Sequence, residues 1–457
     1  AVANTWWAAN IAVDAVRPRF APVDTWPDDT SIAKALDAAF AEGATNFVDI
    51  GDLNASYKGQ RIYRADYSIG LAAHAAIEPM TATAKLDGDQ LQLWIATQAP
   101  GRARLAAAEA IGLSPDQVIV HATQVGGSFG RKYETEIAGE VALLAQKLKR
   151  PVQLTWSRPE DMMQDRFRPA AKAKMTARIA PARIDGWGAT IAMPASMAEF
   201  RARLFDGKDA ATAQASHAAT ADGLSLGSAV LPYGIPNIRI DHAPADIGIP
   251  TGRMRGGYDA LSVFFTECFV DELAELSGVE PFSFRMGMLG GNARLAFCLS
   301  QAASLGGWEG GAQGTGQGLS CHAMLGGHIA ILAEARVGDD QRVRVSKLVA
   351  VADVGRTAHP DIVRQQIEGG LLFGMATATG NAVRIKRGIA SPQRLGHIGL
   401  PRLAECPEII VEVIRSKESS GGVSDLAAAA VAPAIANALH AGSGRRFRSL
   451  PLSPVNP

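Results

Sequence analysis

The sequence predicts a mixed α/β (α+β) fold divided into two or three lobes. Strand-like and helical runs alternate from Leu91 onward, first as Leu91–Ala96, Arg102–Ile111 and Val118–His121. A chain of 457 residues is long enough to bury a large core and to divide into two or three lobes. A glycine-rich stretch from Gly306 to Gly318 supplies the clearest boundary between them.

Residues 1–42 read as two short helices separated by a proline-bearing linker, Arg17 to Pro27. The strongest helical signal spans Glu134–Arg150, where Ile137, Val141, Leu144 and Leu148 recur at helical spacing and make one stripe. Acidic residues open that segment and Lys147, Lys149 and Arg150 close it, which complements the helix dipole. Pro151–Trp156 then reads as a strand. Residues 196–230, rich in alanine and serine with weak periodicity, read as a surface insertion. Leu261–Leu276 is apolar nearly all round and is expected to be a buried helix. Strands at Ile329–Val337 and Val343–Val351 follow, then a helix at Asp361–Ala378, an irregular stretch and a last alanine-rich helix.

Forty-five basic residues balance 45 acidic ones, so charge gives no reason to expect nucleic acid or an anionic membrane as partner. Cys268, Cys298, Cys321 and Cys406 lie far apart. No Cys-x-x-Cys spacing exists, which argues against an iron–sulfur cluster or zinc ribbon held by this chain and against a disulfide framework. No apolar run reads as a bilayer span. No histidine pairs with a carboxylate at metal-ligand spacing, so no metal ligand is assigned; His322 and His328, six apart, are expected on one side of a strand in a structural role.

Two segments carry chemistry in their residues. Gly126-Gly127-Ser128-Phe129-Gly130-Arg131-Lys132 lies between a strand and the amphipathic helix, where a glycine-rich turn can aim backbone N–H groups at an anion or an oxo ligand. The bland reading is a plain tight turn. Gly421-Gly422-Val423-Ser424-Asp425 drops directly onto the last helix, so Asp425 sits where the dipole and free N–H groups favour negative charge. Asp425 either caps that helix or acts as a general base, which must be ionised, close and partly desolvated. Two further patterns are decoys. Gly223-Leu224-Ser225-Leu226-Gly227 has hydrolase spacing but follows a polar segment rather than a strand. Glu267 and Asp271 share one face of a buried helix and are expected to pair with arginines.

The order of these segments resembles the molybdenum hydroxylases, the xanthine oxidase family, and within it the molybdopterin-binding subunit of isoquinoline 1-oxidoreductase and its aldehyde-oxidising relatives. The matching elements are His74-Ala75-Ala76-Ile77-Glu78-Pro79-Met80, Gln98, the Gly126–Lys132 turn, Trp156–Asp161, Met254-Arg255-Gly256-Gly257, Phe264–Arg285, Asp353-Val354-Gly355, Gln366-Ile367-Glu368-Gly369-Gly370 and the glycine–aspartate segment with its closing Gly444–Leu452 run. The family's base is a glutamate; here the position holds Asp425, preceded by Ser424 in place of a glycine. The family's Glu-Met-Gly-Gln-Gly loop is missing, and Gly314-Thr315-Gly316-Gln317-Gly318 is read as a lookalike.

The resemblance implies a two-lobed molybdopterin-binding domain, with residues 1–24 as the end of an α/β hammerhead domain, 25–305 as the first lobe and 306–457 as the second. It implies molybdopterin cytosine dinucleotide with an oxo/sulfido molybdenum as cofactor. Asp425 and Gln98 would be catalytic. Gly127, Ser128, Phe129, Gly130, Arg131, Arg255, Gly256, Gln366, Gly369, Gly422 and Ser424 would hold the cofactor. The implied reaction hydroxylates an aldehyde or N-heterocycle with water as oxygen source. A small [2Fe–2S] subunit would take the electrons, and another polypeptide would supply the family's N-terminal part. The competing reading is a non-catalytic half-subunit acting structurally. Relatives of this type are often periplasmic, with the cytoplasm as the alternative.

Overall fold

The computed structural model describes residues 1–18, 26–391 and 393–453. It divides into two compact units, one built from Ala1–Asp29, Ala75–Asp165 and Ile385–Gln393, the other from Thr30–His74, Arg166–Arg384 and Arg394–Pro457. The first two helices are Trp6–Val16 and Asp29–Glu42, as the sequence suggests; most of the expected linker, residues 19–25, lies outside the described residues.

The first unit carries a four-stranded sheet ordered Val118–Ala122, Gln90–Ile95, Thr81–Asp87, Val152–Thr155. Helices Pro100–Ile111 and Glu136–Leu148 pack on it and on each other. The helix begins at Glu136 rather than Glu134, behind a 3-10 turn at Arg131–Tyr133. Its buried face also differs from the predicted stripe. Ile137 and Val141 are buried, but Ala138, Ala142 and Ala145 complete the face while Leu148 is exposed. The cause is close helix approach: a Cβ on Gly139 would stand 3.4 Å from both the Ala106 carbonyl and the Ala110 methyl. Side chains as long as leucine do not fit between axes that near.

The second unit holds a six-stranded sheet ordered Thr45–Ile50, Asn237–Pro244, Arg183–Met193, Ala171–Ala180, Tyr63–Ile69, Ser449–Leu450, and a four-stranded sheet ordered Gln317–Met324, Gly327–Val337, Val343–Asp353, Glu408–Val413. Helices Asp259–Ser277 and Leu426–Ser443 are buried between elements of this unit. Leu426–Ser443 packs on the first two strands of the four-stranded sheet and on Pro360–Thr379. It is long and apolar enough to cross a membrane by length and composition, contrary to the sequence expectation, and 83% of that window is buried inside the protein. Its alanines allow contact so close that a Cβ on Gly318 would lie 2.1 Å from the Ala438 nitrogen.

Two further expectations are corrected. Residues 196–230 are only in part a surface insertion: they form helices Ser196–Leu204 and Ala210–His217 and a 3-10 turn at Gly223–Leu226, with the stretch 204–221 largely exposed but Ser196, Glu199, Phe200, Arg203, Ala213 and Ser225 buried. Their polar groups are buried because they bond Thr251 and one another, which hydropathy cannot reveal. His322 and His328 lie on two paired strands joined by a turn in which Leu325 and Gly326 take φ of +48° and +77°. His322 is buried beside Asp259, 3.4 Å away.

Candidate functional site

The second unit brings the 253–257 loop onto Asp425 and ties Ser424 and Gln366 to the same loop. The backbone carbonyl of Asp425 accepts from Ala429 in the last helix, yet its carboxylate makes no capping bond. It turns instead to the 253–257 loop: Oδ2 accepts from Arg253 Nη2 and Oδ1 accepts from the Gly256 N–H, both at 3.0 Å. Gly256 adopts φ +95°, a conformation open to glycine, and its Cβ would crowd Ala260 at 3.1 Å. The carboxylate is therefore held by one guanidinium and one amide, with lone pairs left on both oxygens.

Arg255 ties the same loop to two other predicted residues. Its Nε donates to the Ser424 carbonyl at 3.0 Å, and its Nη2 donates to the Gln366 carbonyl and Oε1 at 2.9 and 3.2 Å. Burial lowers its proton affinity, and the nearby Asp425 charge works against that. Gly369 lies beneath this guanidinium; a Cβ there would sit 3.5 Å from Nη1. Gly370 and Gly374, one turn further, instead let the last helix approach through Ala427, Ala428 and Val431. Gly422 donates its N–H to the Leu325 carbonyl at 2.9 Å, and a Cβ on Gly421 would strike the Gly326 backbone. The glycine pair is thus explained by a close approach of two backbones.

The first unit gathers the other predicted set. Gln98 follows the strand Gln90–Ile95, and its N–H donates to the Lys132 carbonyl at 2.9 Å. Ser128 donates its hydroxyl to Gln98 Oε1 and accepts the Lys132 N–H at 3.2 Å. Gly127, Phe129 and Gly130 take φ of +94°, +59° and +112°, so the turn is wound largely in the left-handed region. It is fastened at one end by Glu78, which accepts from the Gly126 N–H at 2.9 Å and pairs with the buried ammonium of Lys132. Burial raises the Glu78 carboxyl's affinity for a proton, but Lys132 and Gly126 outweigh it and hold the group below the usual carboxylate range. Arg131 faces inward: its Nη2 bonds Glu136 at 2.6 Å and its Nε stands 3.5 Å from Asp165, over the Trp156 ring. Those carboxylates outweigh burial and keep it charged.

Sequence reasoning missed Arg253 and the buried groups behind Thr251; His74, which opens one of the matched elements, bonds the Arg253 carbonyl through Nε2 at 3.0 Å. Partners so distant in sequence leave no local signal. The decoys resolve as structure. Ser225 is fully buried and gives its hydroxyl to Asp222 at 2.6 Å, while His242 accepts the Asp222 N–H, so the histidine is turned to backbone and not to the serine. Glu267 and Asp271 pair with Arg285 at 3.0 and 3.2 Å. Gln317 starts a strand and its amide braces Gly307, Glu309 and Glu334. Among the described residues no group of three or more His, Cys, Asp or Glu could hold a metal ion directly. A cavity of about 860 Å³ is lined by Arg336, Arg342, Arg402 and their neighbours and by none of the predicted site residues, so volume does not mark the chemistry here.

Two models described as molybdopterin cofactor-binding domain match residues 39–186 and 313–407, together more than half of the chain. The beta subunit of isoquinoline 1-oxidoreductase from Brevundimonas diminuta is 28% identical over 405 residues, 86% of this chain and 50% of that protein. The chain thus spans about half the length of that relative. Among solved structures, the aldehyde oxidoreductase of Desulfovibrio gigas superposes with a TM-score of 0.74 at 16% identity, covering 91% of this chain and 63% of that one. Quinoline 2-oxidoreductase from Pseudomonas putida 86 gives 0.75 at 14% identity, covering 91% and 78%. The chain belongs to the molybdopterin-binding subunits of the molybdenum hydroxylases, the xanthine oxidase family.

Proposed function

We propose that this chain forms part of a molybdenum-dependent oxidoreductase that hydroxylates an aldehyde or an N-heteroaromatic carbon, with Asp425 as the general base. The observation that carries the reading is that the Asp425 carboxylate leaves the helix end it precedes and is gripped from the side by Arg253 and Gly256. A cap would spend its oxygens on its own helix. Relatives whose names state an action on isoquinoline, quinoline and aldehydes support the substrate class.

The residues present fit the expected cofactor. The N–H groups of Gly127, Ser128 and Gly130 have no acceptor among the described residues, and the left-handed turn presents them as open donors to an anionic or oxo group. Gln98 would stand beside them, and Gln366, Gly369, Ser424 and Arg255 would hold the pterin side. When bound, the molybdenum cofactor, proposed here as the cytosine dinucleotide form, supplies a two-electron acceptor and a site where a water-derived oxygen is activated. Asp425, whose carboxylate keeps free lone pairs beside the donors that hold it, would accept the proton released by a substrate water. Arg253 keeps the carboxylate oriented, and Arg255 keeps the 424–425 backbone in place. For an aldehyde the balance is one water consumed, one carboxylic acid formed, and two protons and two electrons released. The electrons are proposed to leave through a separate [2Fe–2S] subunit.

Metal and nucleotide content test this reading. Protein purified natively with its co-expressed partners is expected to contain near-stoichiometric molybdenum and, after acid hydrolysis, CMP. A well-folded, partner-bound sample holding neither would refute it. AMP or GMP in place of CMP would correct the cofactor form alone.

A further inference from the structure

Directly behind the Arg253–Gly256 loop lies a polar cluster that the proposed chemistry does not use. Thr251 is fully buried, and its backbone is gripped on both sides. Glu199 Oε2 accepts the Thr251 N–H at 2.9 Å and its hydroxyl at 3.1 Å. Arg203, one helical turn on, donates Nη2 to the Thr251 carbonyl at 2.7 Å. Ser196 Oγ meets the Thr251 hydroxyl at 2.7 Å. The next residue is equally fixed: the Gly252 N–H donates to the Phe167 carbonyl at 3.0 Å, and a Cβ there would lie 2.7 Å from that of Arg166. Arg253 follows at once, with its carbonyl on His74 and its guanidinium on Asp425.

We propose that Glu199 is a positioning residue: by clamping Thr251 it fixes the start of the loop whose Arg253 and Gly256 aim the Asp425 carboxylate. The inference rests on the reading of Asp425 as base. Only 2% of Glu199 is exposed, and a carboxyl buried this deeply is a poor source of stability compared with an apolar side chain of similar volume. What it supplies instead is direction. Two donors of one residue converge on a single oxygen, and an arginine holds the carbonyl on the other side of that residue. Loss of the clamp frees the backbone two residues ahead of Arg253, and a drift of about 1 Å in a reacting group can cost on the order of 100-fold in rate.

Three variants decide it, each read by amide hydrogen exchange over 251–256 and by steady-state kinetics of the partner-bound protein with benzaldehyde and isoquinoline. Glu199→Ala is expected to raise exchange in that segment by about tenfold and to lower kcat by about 10- to 100-fold with KM within about twofold. Glu199→Gln keeps an acceptor in the same place and is expected to restore both readouts to within about threefold. Thr251→Val, which removes one of the two bonds, covers the case in which Glu199→Ala does not fold; a rise of about threefold in exchange is expected. Unchanged exchange in Glu199→Ala, or in Thr251→Val where the former does not fold, overturns the proposal. So does a Glu199→Gln variant as damaged as Glu199→Ala. Asp425→Ala is assayed alongside. Full activity there would end the general-base reading, while exchange, which needs no turnover, would still show whether the clamp holds the loop.

Discussion

Arg253 and Asp425 stand 172 residues apart in sequence and meet at 3.0 Å, with the Gly256 N–H completing the grip at the same distance. The guanidinium is about one-third exposed, so the pair adds little to global stability, within about 1 kcal/mol. Its consequence is orientation. Arg253→Ala is therefore expected to leave the melting temperature within a few degrees of wild type while lowering kcat for the aldehyde reaction by about 10- to 100-fold. Arg253→Lys should recover only part of that, since an ammonium lacks the planar fork. A kcat within about twofold in the alanine variant would show that Asp425 does not depend on this partner.

Aspartate rather than glutamate at 425 matches this grip. Both carboxylate oxygens already meet their donors at 3.0 Å. An added methylene pushes the group about 1 Å outward and must break at least the contact to the Gly256 amide. Asp425→Glu is expected to lose about tenfold in kcat despite matching the family's usual residue. Equal or higher activity would mean that the side chain's reach, and not its fixation by Arg253 and Gly256, limits the reaction. Asp425→Asn, which keeps the shape but cannot take the proton, should lose at least about 100-fold.

Much of this site was legible before any coordinates, because it depends on backbone. The glycine turn at 126–130, the glycine pair at 421–422 and the helix behind Asp425 all announce special φ values or close approach in their residues. Gln366, Arg255 and Ser424 are each singled out by the family resemblance, and the structure joins all three by hydrogen bonds. Arg253 was not legible: an arginine two residues from another has no sequence feature that names a carboxylate 172 positions away. Glu199 was hidden more deeply. Its segment looks solvated because alanine, serine and charge alternate without a period, yet its charges are buried by pairing with Thr251 and Arg203. The helix at 136–148 differs in another way: its predicted stripe is Ile137, Val141, Leu144 and Leu148, of which the first two are buried, whereas close packing against the 100–111 helix selects Ala138, Ala142 and Ala145 for the rest of the face.

Arg285 offers a test of the core of the second unit. It is wholly buried, with Nε on Glu267 at 3.0 Å, Nη1 on Asp271 at 3.2 Å and Nη2 on the Glu267 carbonyl at 3.0 Å. Arg285→Met should destabilise the protein by about 3–5 kcal/mol, because it strands buried carboxylate charge. Glu267 would keep its donors from Tyr233 at 2.6 Å and the Cys321 N–H at 3.0 Å, so neutralising it in the double variant Arg285→Met/Glu267→Gln should recover at least about 1 kcal/mol. Urea unfolding of the three proteins measures this. A double variant no better than the single one would show that lost packing, and not stranded charge, sets the cost.

The buried carboxyl of Glu199 should also leave a mark on stability against pH. Burial raises its proton affinity most, and the nearby Asp246 adds to that; the two bonds from Thr251 and the Arg203 charge oppose it, and the balance sits at about 7. The Tyr258 hydroxyl, buried and neutral, also faces this group. A carboxyl whose folded value lies above its unfolded value of about 4.3 contributes its full stability below pH ~4 and loses it as pH rises through about 7. The difference corresponds to on the order of 3 kcal/mol between those limits. Glu199→Gln cannot ionise and escapes the loss. Its melting temperature relative to wild type is therefore expected to climb from about pH 4.5 to about pH 7, with the midpoint of the change near pH ~5.7, and to level off above neutrality. An offset between the two proteins that stays constant over that interval would mean that Glu199 keeps an ordinary carboxylate value in the fold, held ionised by Arg203.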